Sequence, residues 1–234
     1  MSVAELSERL NTSMMTIRRD LEDLEKEGIV KKVHGGAVLL KHDKEQPTFQ
    51  ERIIEYSSEK QRIGREAAKL VTQDSIIFFD SGTTPLAVID NISDELEFTA
   101  ITSGLMTAVA LCNKPKVNVV SIGGEVHCSS YTSVNHLAVE MINRFHADIA
   151  FISTKAFSVP GGTYEPLLPL IEVKKAIVEV SKKVVLVADH SKFDNKSLCL
   201  SIPMQDIDLI ITDDKTPGHI VTEIKNLGKE IIVV

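Results

Sequence analysis

Apolar residues recur at helical spacing from the first positions of the chain. Val3, Leu6 and Leu10 share one face, so residues 2–10 predict a short helix. Asn11, Thr12 and Ser13 break that pattern. Ser13 is placed to cap the next helix, its hydroxyl accepting from an N–H of the first turn. That helix runs from about Met14 to Glu27 with Ile17, Leu21 and Leu24 on one face, and Gly28 stands where a left-handed end is wanted. Two short apolar-rich runs flank Gly35-Gly36 and predict a hairpin. Residues 41–57, opening polar and charged around Pro47, predict a linker. A helix capped by Ser57 or Ser58 follows, carrying Ile63, Ala67 and Leu70. From Ser75 the period changes. Strand-length apolar runs at 75–80, 97–102, 117–122, 148–153, 184–188, 208–212 and 230–234 alternate with helical stretches at 85–92, 104–112, 134–145, 170–181 and 218–227. Such alternation predicts an α/β domain with a mostly parallel open sheet covered on both faces.

Composition narrows the classes. A chain of 234 residues with 43% apolar and 25% charged residues suits a small folded unit plus a medium one and excludes a disordered chain. No apolar run approaches the roughly 20 residues of a membrane helix, and no secretory leader pattern is present. Cys112, Cys128 and Cys199 are odd in number and scattered, which fits a reducing cytosol and no disulfide framework. The histidines lack metal-ligand spacing, so neither a metal nor a cofactor is expected. Met14, Met15, Met106 and Met141 read as core filler. Trp is absent and aromatics are 5%, which argues against single-strand binding by base stacking. Net charge is −7; residues 1–57 hold 9 Lys and Arg against 11 Asp and Glu, and the remainder 17 against 22. Any DNA contact must therefore come from a local cluster.

Such a cluster exists. Helix, short turn, helix and hairpin is the order of a winged helix-turn-helix, whose recognition helix reads DNA with its amino-terminal residues. Thr16, Arg18 and Arg19 lie in the first two turns of the second helix, with the acids further along. Lys31, Lys32 and His34 decorate the hairpin, where a wing meets the backbone. An ordinary solvated helix face would carry similar charges.

The larger domain has its own candidate chemistry. The first strand ends in Asp80-Ser81-Gly82-Thr83-Thr84 before a helix, a hydroxyl-rich loop suited to an anion. Thr102-Ser103 with Gly104 and Gly123-Gly124 end the next two strands, and Asp189-His190-Ser191-Lys192-Phe193 ends a later one. Loops of small residues at strand ends point to one shared pocket at the edge where open α/β sheets bind ligands. Tight capped turns would look the same one at a time.

Thr16-Ile17-Arg18-Arg19-Asp20-Leu21, Leu24, Gly28 and Val33-His34-Gly35-Gly36-Ala37 resemble the signature of the DeoR family of bacterial transcriptional regulators. Glu59-Lys60, the 80–84 loop, Gly123-Gly124, Glu172 with Lys174, and the 189–193 segment resemble its effector-binding domain, a fold similar to ribose-5-phosphate isomerase. The resemblance implies a winged helix-turn-helix at 1–40, a linker at 41–57 and an effector domain at 58–234. It implies operator double-stranded DNA as partner, contacted by Arg18 and Arg19 with the hairpin as wing. A phosphorylated sugar or related metabolite is the implied effector, its phosphate on Ser81, Gly82, Thr83 and Thr84 and its sugar near Asp80 and Lys192. A homo-oligomer, dimer or tetramer, follows from paired half-sites.

The chain departs from the family pattern at Thr102-Ser103, where Thr-Asn is usual, and at Asn135, where Gly is common. It departs again at Ser153-Thr154-Lys155-Ala156, where Lys155 either adds a charge to the pocket or points to solvent. The expected function is therefore a DNA-binding regulator, a repressor of a sugar or carbohydrate operon, and not an enzyme. Two alternatives stay open: an isomerase-like enzyme using Asp80, Glu172, Asp189 and Lys192, and a regulator that has lost DNA binding. A unit of this type ordinarily has a helix before residues 2–10. The expectation is thus an incomplete, loosely ordered winged unit.

Overall fold

A computed structural model describes residues 2–26, 30–33, 35–39 and 47–234, which fall into two compact units meeting at Pro47 and Thr48. The first opens with α1 (Val3–Arg9). A capping box holds its start: Ser2 Oγ accepts from the Glu5 N–H at 3.1 Å, and the Glu5 carboxylate accepts from the Ser2 N–H at 2.7 Å. The chain turns through Asn11 at φ +47°. Ser13 Oγ accepts from the Thr16 N–H at 3.1 Å and starts α2 (Met14–Lys26). β1 (Val30–Val33) and β2 (Gly36–Leu39) form the antiparallel hairpin. Ile17, Leu21, Val30 and Ala37 make the core, with Val3, Leu6 and Leu24 packed on it. Met14 and Met15 are not core filler: they are 51% and 73% exposed, because Met15 lies about 200° around the helix from Ile17. Gly28, His34 and the 41–46 stretch of the expected linker lie outside the described residues.

The rest of that expected linker is structured. Thr48 forms a capping box with Glu51 and starts α3 (Phe49–Ile54), whose Phe49 is buried in the second unit. α4 (Ser57–Ala68) begins after Tyr56, which takes φ +51°. Neither serine caps it, since Ser58 Oγ donates to Glu59 at 2.7 Å. Leu70 falls past its end.

In chain order there follow β3 (Ile76–Phe79), α5 (Thr83–Asp90), β4 (Phe98–Thr102), α6 (Leu105–Cys112), β5 (Val117–Ser121), β6 (Glu125–His127), β7 (Thr132–Val134), α7 (Asn135–Ile142) and β8 (Ala147–Ile152). Then come β9 (Ala156–Ser158), β10 (Gly162–Glu165), α8 (Leu168–Glu179), β11 (Ser181–Val187), β12 (Cys199–Pro203), β13 (Leu209–Thr212), α9 (Gly218–Asn226) and β14 (Glu230–Val233). Seven strands form one parallel sheet in the order β14-β13-β11-β8-β3-β4-β5. Alternate residues serve opposite layers. Phe78, Ile101 and Leu186 pack with α7, α8 and α9, whereas Ile77, Phe79 and Val185 pack with α4, α5 and α6.

Short strands missed by the sequence pattern add a β6–β7 hairpin and an antiparallel β12-β10-β9 sheet. Asn135 takes φ +69°, the conformation expected of a residue standing for glycine. From the centre of the parallel sheet, β3, β4 and β5 proceed one way and β8, β11, β13 and β14 the other. Connections therefore leave adjacent β3 and β8 in opposite directions, opening a crevice at their carboxyl ends.

Candidate functional sites

Four neighbouring strands, β11, β8, β3 and β4, end at this crevice. They deliver Asp189 to Lys192, Ser153 to Lys155, Asp80 to Thr84, and Thr102 to Gly104. Gly82 precedes α5, which starts with no side-chain cap. Its first N–H groups and the positive end of the helix dipole are thus available to an anion. Glycine is required here, since a Cβ at residue 82 would lie 2.0 Å from Ser153 Oγ. α6 also starts uncapped, after Gly104, where a Cβ would lie 2.8 Å from Ser81 Cα. Thr132 Oγ1 donates to Ser81 Oγ at 2.7 Å. Thr83 is half-buried and Thr84 buried.

Asp80 corrects the sequence reading. It is 1% exposed and turned inward. Its carboxylate accepts from the Ser81 N–H at 2.8 Å, the Ser153 N–H at 3.0 Å and Ser153 Oγ at 2.8 Å. Lys174 of α8 stands 3.2 Å from it and 2.6 Å from Glu165, and all three are buried. Burial works to raise the Asp80 carboxyl, but Lys174 and the hydrogen bonds outweigh it and hold the group below the usual range. Burial likewise opposes the Lys174 charge, yet Asp80 and Glu165 outweigh it and raise the ammonium. Asp80 thus shapes the loop and ties β3 to β8.

Other positions differ in availability. Thr102 is fully buried, its Oγ1 accepting from the Gly104 N–H at 3.0 Å. Ser103 is fully buried with no hydrogen-bond partner for Oγ among the described residues. Asp189 is fully buried as well: one oxygen accepts from the Ser191 N–H at 3.1 Å. Its other oxygen makes no hydrogen bond, and Lys192 Nζ lies 3.8 Å away. Lys155 is half-buried, and no carboxylate lies within ion-pair distance among the described residues. Burial lowers its pKa, helped by Lys192 and Arg52 nearby.

One expected position, Glu172, is not brought to the crevice. Glu172 is exposed and pairs with Lys175 at 3.6 Å, because it lies about 200° around α8 from Lys174. Gly123 and Gly124 follow the edge strand β5, two strands or about 10 Å from β3. The proton-transfer set of the enzyme alternative is therefore dispersed: Asp80 is engaged inside and Glu172 faces out. Arg52, Thr132 and Glu165 were missed. The Thr48-x-x-Glu51 capping box was the available signal for the helix carrying Arg52.

In the first unit, Met15 and Arg19 are exposed on the outer face of α2, and Thr16 Oγ1 lies 2.9 Å from Ser13 Oγ. Arg18, about 100° around from Arg19, lines a groove with Val3, Leu21, Gly35 and Gly36. Asp20, Glu22, Asp23 and Glu25 follow along the helix and are exposed. Lys31 and Lys32 lie on β1, paired with Val38 and Ala37.

Two family models match the chain. The DeoR C-terminal sensor domain matches residues 55–214, and the DeoR-like helix-turn-helix domain matches residues 1–43. The chain is 37% identical over 227 residues to the HTH-type transcriptional regulator GolR of Listeria innocua, covering 97% of this chain and 89% of that protein. It is 30% identical over 216 residues to the glycerol-3-phosphate regulon repressor of Escherichia coli, covering 92% and 85%. Among solved structures, ribose 5-phosphate isomerase A of Methanocaldococcus jannaschii aligns with a TM-score of 0.44 at 16% identity, over 58% of this chain and 54% of that one. The sequence relatives are named as regulators and repressors, not enzymes. No helix among the described residues is long and apolar enough to cross a membrane. The chain belongs to the DeoR family of DNA-binding transcriptional regulators, a helix-turn-helix unit followed by a sensor domain.

Proposed function

We propose that the protein represses an operon of sugar or carbohydrate metabolism and is released from its operator by a phosphorylated sugar-type effector. The observation that carries this reading is the uncapped start of α5 at the switch point of the sheet, beside buried oxygens of Ser103 and Asp189 that make no hydrogen bond among the described residues. Phosphate sits on the N–H groups of residues 82–84 with the Thr83 hydroxyl, and Lys192 and Asp189 meet sugar oxygens. The Escherichia coli relative is named for a phosphorylated polyol, which supports the ligand class. Thr16, Arg18 and Arg19 enter the major groove, with Lys31 and Lys32 on the backbone. Paired half-sites make the working unit a homo-oligomer, a dimer or tetramer. The effector acts by binding one arrangement of the protein better than another.

A thermal-shift panel tests this: glycerol 3-phosphate, ribose 5-phosphate, fructose 1-phosphate, glucose 6-phosphate and galactitol 1-phosphate, each beside its unphosphorylated counterpart. A ligand at about 100 times its Kd stabilises by about 2.7 kcal/mol. That raises Tm by about 5–11 °C for a domain of this size. A gel shift with DNA from upstream of the gene completes the test. No phosphate-dependent shift, or no DNA binding, contradicts the reading.

A further inference from the structure

Arg52 lies in the last turn of α3, the helix that begins at the first residues of the second unit. Its guanidinium is held in place. It lies 5.4 Å from the Phe49 ring centroid, and Phe49 packs edge-on against Tyr131 with centroids 5.5 Å apart. Nη2 donates to the Ser129 carbonyl at 3.4 Å. The buried Lys60 ammonium donates to the carbonyls of Arg52 and Glu55, capping the carboxyl end of α3. Residues 129–131 lead directly into Thr132, which bonds Ser81, so Arg52 is tied to the turn that contacts the phosphate loop.

Arg52 nevertheless keeps an unmatched donor. Its Nε is buried without a hydrogen-bond partner, and no carboxylate lies within ion-pair distance among the described residues. Asp80 and Glu165 are in electrostatic reach, but both are engaged by Lys174. A buried cationic N–H left without an acceptor is costly. The Nε and Nη edge of a guanidinium is a planar pair of donors that matches two oxygens of one phosphate or carboxylate.

We propose that Arg52 binds an oxyanion of the effector through its Nε edge, and that occupancy thereby fixes α3, the element through which the sensor unit joins the chain leading to the DNA-binding unit. Lys60 is a positioning residue for this contact. The proposal rests on the phosphosugar reading above. Lys60 and Phe49 hold Arg52 in place, and its Nε–H is the donor left for an oxyanion of the effector.

Hydrogen exchange and titration calorimetry on the full chain test it, using the panel compound with the largest thermal shift and inorganic phosphate. In the wild type, amides of residues 50–55 gain protection when the compound binds. Arg52→Gln weakens binding by roughly 10- to 100-fold and loses that added protection. Arg52→Lys keeps the charge but not the paired edge, and recovers only part of the affinity. Circular dichroism checks the fold of each variant. If Arg52→Gln does not fold, wild-type exchange and Arg52→Lys still decide. Wild-type affinity in Arg52→Gln or Arg52→Lys, or α3 exchange unchanged by the compound, overturns the proposal alone. No binding by any panel compound, or undiminished binding in Thr83→Asp, overturns the phosphosugar reading and the proposal with it.

Discussion

Lys174 is, among the described residues, the cation within ion-pair distance of both Asp80 and Glu165, and Lys174→Met removes its charge while keeping an apolar stem of similar length. The two carboxylates it leaves are 2% and 7% exposed, so water cannot replace the ammonium. Removing one partner of a buried ion pair costs about 3–5 kcal/mol. At about 2–4 °C per kcal/mol for a domain of this size, scanning calorimetry at neutral pH should show Tm falling by about 6–20 °C. The pH dependence adds a sign. In the wild type the Asp80 carboxyl is held low and the Lys174 ammonium high. Their stabilisation is full across neutral pH. It is lost as pH falls through the lowered Asp80 value, and as pH rises through the raised Lys174 value. In Lys174→Met the Asp80 carboxylate loses its nearest counter-charge and takes up a proton more readily. The gap to wild type should then narrow between about pH 7 and pH 5, and Glu165→Gln in the same background should recover part of the loss. An unchanged Tm at neutral pH, or a gap that widens on acidification, would refute the reasoning.

Thr83→Asp places a carboxylate where the α5 dipole favours it, so the fold survives. It repels a bound phosphate by about 4 kcal/mol per unit charge at close range, and calorimetry should find no phosphosugar binding. Lys192→Ala should weaken phosphosugar binding by about 1.5–3 kcal/mol; an unaltered affinity removes Lys192 from the site. Arg18→Ala and Arg19→Ala should each flatten the slope of log K against log salt for operator DNA by about 0.9 per lost phosphate contact. Gly82→Ala meets Ser153 at 2.0 Å and should lower both Tm and effector affinity, whereas Gly123→Ala has nothing within 4 Å and should keep its Tm.

The parallel sheet was legible because its strands are buried on both faces and therefore read as unbroken apolar runs, as in Ile76-Ile77-Phe78-Phe79. β6, β7, β9, β10 and β12 were not, since runs such as Thr132-Ser133-Val134 are short and mixed in polarity. α3 was hidden by the polar composition around Pro47, although its capping box stood in the sequence. Small residues after β3 and β4 marked the crevice, as the chain's own order predicts. The inward turn of Asp80 was invisible because its partners, Ser153 and Lys174, are far along the chain and meet it only in the folded sheet. Glu172 and Lys174 share a motif in sequence but not a helix face.

The central claim is that a ligand in the sensor crevice changes affinity for DNA. Fluorescence anisotropy with labelled operator DNA, with and without a saturating panel compound, measures this directly at one fixed salt concentration. The account predicts a loss of DNA affinity of about 5- to 150-fold when the compound binds, and no such loss in Thr83→Asp. The same operator affinity with and without a compound that demonstrably binds the sensor domain would contradict it.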